Sequence, residues 1–125
     1  MLERKRKLKV TPFLHPVGAA GLIEFLKQAF DAEVVSREQS PEGAIHHATV
    51  RIGDSMLEMG EAHGEAQPMP TALFVNVENL EKSYERALNA GATSMQPPKD
   101  QGYGRTAWVK DAWDNIWYLA APKTK

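Results

Sequence analysis

The sequence predicts an α+β fold, in which two βαβββ modules form an eight-stranded half-open cup within one domain spanning residues 1–125. Two observations predict it. Residue types recur at a spacing of sixty, Thr11 with Thr71, Ala32 with Ala92 and Asp54 with Asp114. Each half also reads as a strand, a helix and three strands, with period-2 alternation in the strands and a 3.6-residue apolar stripe in the helices. The modules run over residues 9–60 and 71–121, joined by a linker at 61–70. Two such sheets rolled together enclose a concave face, and a concave face holds a ligand.

The elements follow in order. Lys9 to His15 is the first strand, closed by Pro16 and Gly18. Leu22, Ile23, Leu26, Ala29 and Phe30 then form one apolar helix stripe. Ala32 to Arg37 is a short strand, and Ser40-Pro41-Glu42-Gly43 is a turn by composition. Ile45 to Ile52 is a longer strand that Gly53-Asp54 turns into Ser55 to Gly60. The linker carries Gly64, Pro68 and Pro70 and no periodicity. It is too short to separate independent domains, so the modules share a core or swap with a partner.

The second module opens with Thr71 to Val77. Asn79 is the expected N-cap, Leu80, Tyr84, Ala87 and Leu88 form the stripe, and Gly91 stops the helix. Thr93 to Gln96 is a short strand ended by Pro97-Pro98. Tyr103 to Lys110, a turn at Asp111 to Asn115, and Ile116 to Ala120 complete the module. Pro122 to Lys125 reads as a loose tail.

Alternation assigns the faces. Leu14, Leu57, Met59, Ala72, Phe74, Trp117 and Leu119 are the more apolar set and face the helices. Thr11, Phe13, His15, Met56, Glu58, Thr71, Leu73, Val75, Ile116 and Tyr118 face the cup, with Ile45, His47, Thr49, Thr106 and Trp108 from the longer strands.

Bulk properties exclude several classes. A net charge of −1 and a pI near 6.4 argue against nucleic acid. The run Arg4-Lys5-Arg6-Lys7 with Lys9 reads as a solvated tail rather than a phosphate- or membrane-seeking arm. There is no cysteine, which removes disulfides, thiolate zinc sites and a cysteine nucleophile. No apolar run reaches the roughly 20 residues of a membrane span, and no signal-peptide pattern appears, so a cytoplasmic protein is expected.

Several motifs together carry a family resemblance. They are Gly43-x-Ile45-x-His47-Ala48, Ile52-Gly53-Asp54-Ser55, Ala90-Gly91-Ala92, Tyr103-Gly104-Arg105 and Asp111-x-x-x-Asn115-x-Trp117. With them the chain resembles the vicinal oxygen chelate superfamily, which holds glyoxalase I, bleomycin-resistance proteins and extradiol dioxygenases. The likeness covers residues 9–121 and looks closest to the small glyoxalase/bleomycin-resistance-like proteins. It implies a homodimer and a small-molecule ligand. It also implies four His, Gln or Glu metal donors, one from the first and one from the last strand of each module. Those positions carry Thr11, Glu58, Thr71 and Tyr118 here, and only Glu58 is a suitable donor. The expectation is therefore no cofactor, with the standard metal site lost.

Glu58 and His47 are the candidate catalytic pair. His47 suits a hydrogen-bond or acid/base role; His46 points to the opposite face of the strand and cannot join it on one ion. Glu58 has three readings: a general base, a counter-charge for a cationic ligand, or an ion-pair partner of Arg51 or Arg105. Phe13, Met56, Trp108 and Tyr118 form an aromatic and thioether lining, or core, or a dimer interface. His15 joins the ligand-binding set, and Arg105 is placed at the rim for an anionic group. The alternative function is a divalent-metal lyase or dioxygenase using His15, His47 and Glu58. Trp113 is expected at the surface or at a subunit seam, and Glu61, His63 and Glu65 in a solvated loop.

Overall fold

The computed structural model describes residues 9–122, so the basic run at Arg4 to Lys7 and the tail beyond Pro122 lie outside the described residues. The first module contains β1 (Phe13–Leu14), α1 (Ala19–Phe30), β2 (Glu33–Gln39), β3 (Ile45–Ile52) and β4 (Ser55–Met59). The second contains β5 (Ala72–Asn76), α2 (Leu80–Asn89), β6 (Thr93–Gln101), β7 (Gly104–Lys110) and β8 (Ile116–Pro122). They build two four-stranded sheets of matching order, β1-β4-β3-β2 and β5-β8-β7-β6. Each sheet has one parallel pair, β1 with β4 and β5 with β8, and is otherwise antiparallel. Neither helix is long and apolar enough to cross a membrane.

Local sequence explains the boundaries. Gly18 precedes α1 at a φ of 88°, a left-handed value that glycine adopts freely. Glycine brings no side-chain cap, so the linker supplies one: the Glu61 carboxylate accepts from the backbone N–H groups of Gly18 and Ala19. Two donors that a helix start leaves open are thus satisfied, with negative charge at the positive end of the dipole. Glu61 is therefore not part of a solvated loop. In α2 the Asn79 side chain accepts from Lys82 N at 3.1 Å, the expected cap. Gly91, at a φ of 111°, lets Ala92 N–H return to Ala87 O at 3.0 Å and ends the helix.

One strand departs from expectation. β6 does not stop at Pro97-Pro98 but continues to Gln101. It is the outer strand of its sheet, where a missing N–H removes no ladder bond on the solvent side. Its register also shifts between Gln96 and Lys99, so both prolines fall in the irregular stretch.

One cluster of buried apolar side chains runs through both modules. Leu14, Ala48, Val50, Leu57 and Met59 contribute from the first sheet, and Ala107, Val109, Trp117 and Leu119 from the second. The stripe of α1 lies between them: Phe25 and Phe30 reach Trp117 with ring centroids 6.4 and 5.2 Å away. Arg86 of α2 grips Asp31 at the end of α1 with two hydrogen bonds, of 3.1 and 2.7 Å. Trp113 is not free at the surface. Its Nε1–H donates to Val17 O at 2.7 Å, and its ring lies where a side chain at Gly21 would collide with it.

Two face assignments change. Registered partners share a face, and Leu73 and Val75 lie opposite the buried Trp117 and Leu119, so they turn to the core. Ala72 and Phe74 take the other side. Ile45 also leaves the cup face for the core. Two steps along β3, His47 to Ile45, face one step along β2, Glu38 to Gln39. The bulge at His46 reverses the parity beyond it.

Candidate functional site

The sheet faces away from the helices carry the chemistry. On the first sheet, Glu58 of β4 lies between Phe13 of β1 and Thr49 of β3 in register. His47 Nε2 and Glu58 Oε1 are 2.9 Å apart, a direct hydrogen bond in which a protonated Nε2 donates. No partner of Glu58 Oε2 exists among the described residues, so this oxygen is available to accept. Both side chains are about one-third exposed, at 38 and 36%. Glu38 stands opposite His47 in register on β2. The Phe13 ring lies 5.2 Å from that of His15 and 6.1 Å from that of His47.

On the second sheet the matching places are aromatic. Tyr118 of β8 lies between Phe74 of β5 and Trp108 of β7 in register. The Trp108 and Tyr118 rings are 5.4 Å apart and inclined by 37°. Gln96 and Gln101 donate to the Thr106 hydroxyl at 3.4 and 3.5 Å beside them. A hollow of about 190 Å³ opens over Phe74, Thr106, Trp108 and Tyr118. Phe13, Phe74 and Tyr118 are 43, 62 and 40% exposed, high values for rings of this size.

These registers correct the equivalence between modules. Phe13 opposite Glu58 matches Phe74 opposite Tyr118, so the first strands correspond at sixty-one residues while the last correspond at sixty. Thr11 is therefore matched by Ala72, not Thr71. The single-residue slip is what misplaced Phe74.

The structure thus gathers Phe13, His15, His47 and Glu58 on one sheet, and Trp108 and Tyr118 on the other. Met56, two residues before Glu58 on β4, shares its face and lines a larger cleft beside it. Arg105 stands apart. It shares the helix side of β7 with Ala107 and Val109, where it pairs with Glu81 of α2 and, at 2.9 Å, with Asp100. Those two carboxylates hold its guanidinium above its ordinary range. Arg51 pairs with Glu33, so neither arginine is the partner of Glu58.

A larger cleft of about 1220 Å³ runs along the seam between the β3–β4 hairpin and β5. Two of its rim cations, Arg51 and Arg86, are held in ion pairs, and the exposed aromatic rings of β7 and β8 lie elsewhere.

The residues present do not fit a tightly held divalent ion. The four matched positions are Thr11, Glu58, Ala72 and Tyr118, one carboxylate with two hydroxyls and a methyl. His15 does not complete the alternative set: among the described residues no group of three His, Asp or Glu side chains is arranged to hold a metal.

A further group was not visible in the sequence. Asp111 is buried, and its Oδ1 accepts from Trp113 N at 2.8 Å and Asn115 N at 2.9 Å. Its Oδ2 accepts from Asn115 Nδ2 at 3.0 Å and Trp117 Nε1 at 2.8 Å. Asn115 Oδ1 in turn accepts from Thr71 N at 2.9 Å, which anchors the start of β5. The spacing Asp111-x-x-x-Asn115-x-Trp117 was the available signal. Spacing alone does not reveal which side chain is buried.

Comparison with known proteins agrees with this geometry. A family model described as Glyoxalase/Bleomycin resistance protein/Dioxygenase superfamily matches residues 19–119. An uncharacterized protein of Mycobacterium bovis is 31% identical over 125 residues, covering 90% of this chain and 82% of its own. TioX from Micromonospora superposes with a TM-score of 0.73 at 19% identity, covering 94% of this chain and 98% of its own. The fosfomycin resistance protein FosX from Mesorhizobium loti gives 0.69 at 15% identity, covering 94 and 93%. At such identities the structural matches establish a shared fold.

Proposed function

The chain belongs to the Glyoxalase/Bleomycin resistance protein/Dioxygenase superfamily, and on that premise we propose that it binds a small, largely apolar molecule between its two helix-free sheet faces. The four-donor metal site of the superfamily's enzymes has no part in this binding. One observation carries the reading: both modules place exposed rings around the same register position, occupied by Glu58 in one and Tyr118 in the other. Large exposed aromatic side chains gathered on one face mark a surface that becomes covered.

The two faces meet in a homodimer, the first sheet of one chain opposite the second sheet of its partner. Within one chain, their ring contacts form separate groups, Phe13 with His15 and His47, and Trp108 with Tyr118. Charge favours the pairing. The outer strand of the first face carries Glu33 and Glu38, with Arg51 opposite Glu33, and the outer strand of the second carries Lys99, with Lys110 of β7 held by Asp114 at 3.9 Å. The composite pocket is apolar and aromatic, with Glu58 and His47 as its polar contacts.

Three measurements test this reading. Sedimentation equilibrium should give a dimer. A thermal-shift panel of aromatic compounds should contain a stabilising ligand, since one at 100 times its Kd adds roughly 2.7 kcal/mol. Elemental analysis of untagged protein should give far less than one metal per chain. Near-stoichiometric iron, manganese, nickel or zinc overturns the metal-free reading, and a panel without any shift overturns the binding reading. The His47–Glu58 hydrogen bond favours a second reading, a cofactor-free enzyme with Glu58 as general base. A bound ligand recovered chemically altered would select it.

A further inference from the structure

The two faces differ in chemistry, and the difference specifies the ligand. On the first, Glu58 keeps one carboxylate oxygen on His47 and leaves the other without a partner among the described residues. Glu38 stands across β3 from it, opposite His47, and the one arginine of that face, Arg51, is engaged by Glu33. An anionic group entering here meets two carboxylates and no free guanidinium. A cationic group finds an open acceptor.

The second face offers ring surfaces. Trp108 and Tyr118 lie 5.4 Å apart at a shallow mutual angle, and both line one hollow. Phe74 lies beside Tyr118 in register. Aromatic rings such as these attract planar rings by stacking and cations through the negative face of the π system. Lys99 stands in register with Thr106, on the outer strand, and Lys110 lies 3.9 Å from Asp114. With Lys110 paired, Lys99 adds positive charge at the edge of the second face, while Glu58 keeps an open carboxylate oxygen on the first. This fixes an orientation, with the charged end of a ligand toward the first sheet and its planar end toward the second.

We propose that the ligand is a planar aromatic cation, its ring stacked on Trp108 and Tyr118 and its positive group held by Glu58. This rests on the composite pocket proposed above and names what it selects. Neutral planar molecules bind through the rings alone, and planar anions are rejected by Glu58 and Glu38.

Three bicyclic probes of equal size separate the possibilities: N-methylquinolinium, quinoline and quinoline-2-carboxylate, titrated calorimetrically into the full chain at neutral pH. The expected order places N-methylquinolinium about 10-fold or more tighter than quinoline, with the carboxylate weakest. Added salt should weaken the cation alone. Glu58→Gln should remove the preference for the cation over quinoline, while Trp108→Ala weakens both. Should Glu58→Gln fail to fold, the wild-type affinity ratio and its salt dependence decide the matter without it. Equal or weaker binding of the cation overturns the charge assignment and leaves the aromatic pocket standing. No binding by any of the three removes the pocket as well.

Discussion

Replacing Asp111 by alanine removes the acceptor from four hydrogen bonds at once. Three of the donors are buried: Asn115 N, Asn115 Nδ2 and Trp117 Nε1. Each orphaned buried donor costs about 1–3 kcal/mol, and the removed carboxylate returns part of this because its own burial was unfavourable. A loss of about 3–5 kcal/mol is expected, a large share of the 5–15 kcal/mol typical of a domain. Asp111→Asn is the sharper probe because it keeps the volume. Its oxygen can still accept from two N–H groups, but its NH2 then faces Asn115 Nδ2 and Trp117 Nε1. About 2 kcal/mol should be lost with no cavity formed. Urea unfolding measures both as a fall in midpoint at unchanged slope. An Asp111→Asn protein within about 0.5 kcal/mol of wild type would refute the argument, because orphaned donors could not then be the cause. The consequence reaches the site. Asn115 holds Thr71, and Trp117 precedes Tyr118, so the same substitution should weaken aromatic ligands without touching them.

Gly21→Ala gains up to about 1 kcal/mol of helix propensity, yet its new methyl meets the Trp113 ring at 2.9 Å, so the protein should be destabilised. In a Trp113→Ala background the same change should become stabilising, which paired denaturation curves would reveal. Glu61→Ala should cost about 1 kcal/mol by uncapping α1, measurable by urea unfolding. The hydrogen bonds from Arg86 hold the Asp31 carboxyl below its ordinary value of 3.8. A lowered folded-state pKa makes that contribution complete above 3.8 and lost as the pH falls through the folded value. The stability difference between wild type and Arg86→Ala should accordingly be constant at neutral pH and shrink in acid, followed by thermal unfolding across pH.

Much of this architecture was legible because the two periodicities are strong. The stripe from Leu22 to Phe30 is buried as its spacing implies, and Ile45 to Ile52 and the Asn79 cap appear where they were expected. The departures share a physical origin. Period-2 reasoning carries one phase along a strand, and any inserted or missing residue reverses everything beyond it. The bulge at His46 reversed Ile45, and a spacing of sixty applied to strands that correspond at sixty-one reversed Phe74. The prolines of β6 were misread because an edge position depends on strand order, which local sequence does not contain. His47 and Glu58 could be placed on one face from sequence, but their hydrogen bond could not. They are not opposite one another in register: Thr49 is the residue opposite Glu58, and the bond crosses the ladder diagonally. Arg105 belongs to the helix side by the same alternation that sends Thr106 and Trp108 to the cup, and its pairing with Glu81 of α2 agrees with that period rather than with a place at the rim.

The registers also separate what the fold requires from what the proposed binding requires. On the helix side, matched positions keep the same kind of side chain: Ala48 with Ala107, Val50 with Val109, Met59 with Leu119. Packing against a helix asks for volume without polarity, and these matched pairs meet it in both modules, although Leu57 is matched by the larger Trp117. On the open side, Phe13 and Phe74 match, but Glu58 is set against Tyr118, Thr49 against Trp108 and His47 against Thr106. No shared packing demand explains that divergence, since apart from the buried Thr106 these side chains are partly exposed. Two faces that served two separate copies of one ligand would be under equal demands and would resemble each other. Faces that grip opposite ends of a single ligand are under unequal demands, and the proposed pairing of the carboxylate–imidazole face with the ring-bearing face accounts for the inequality.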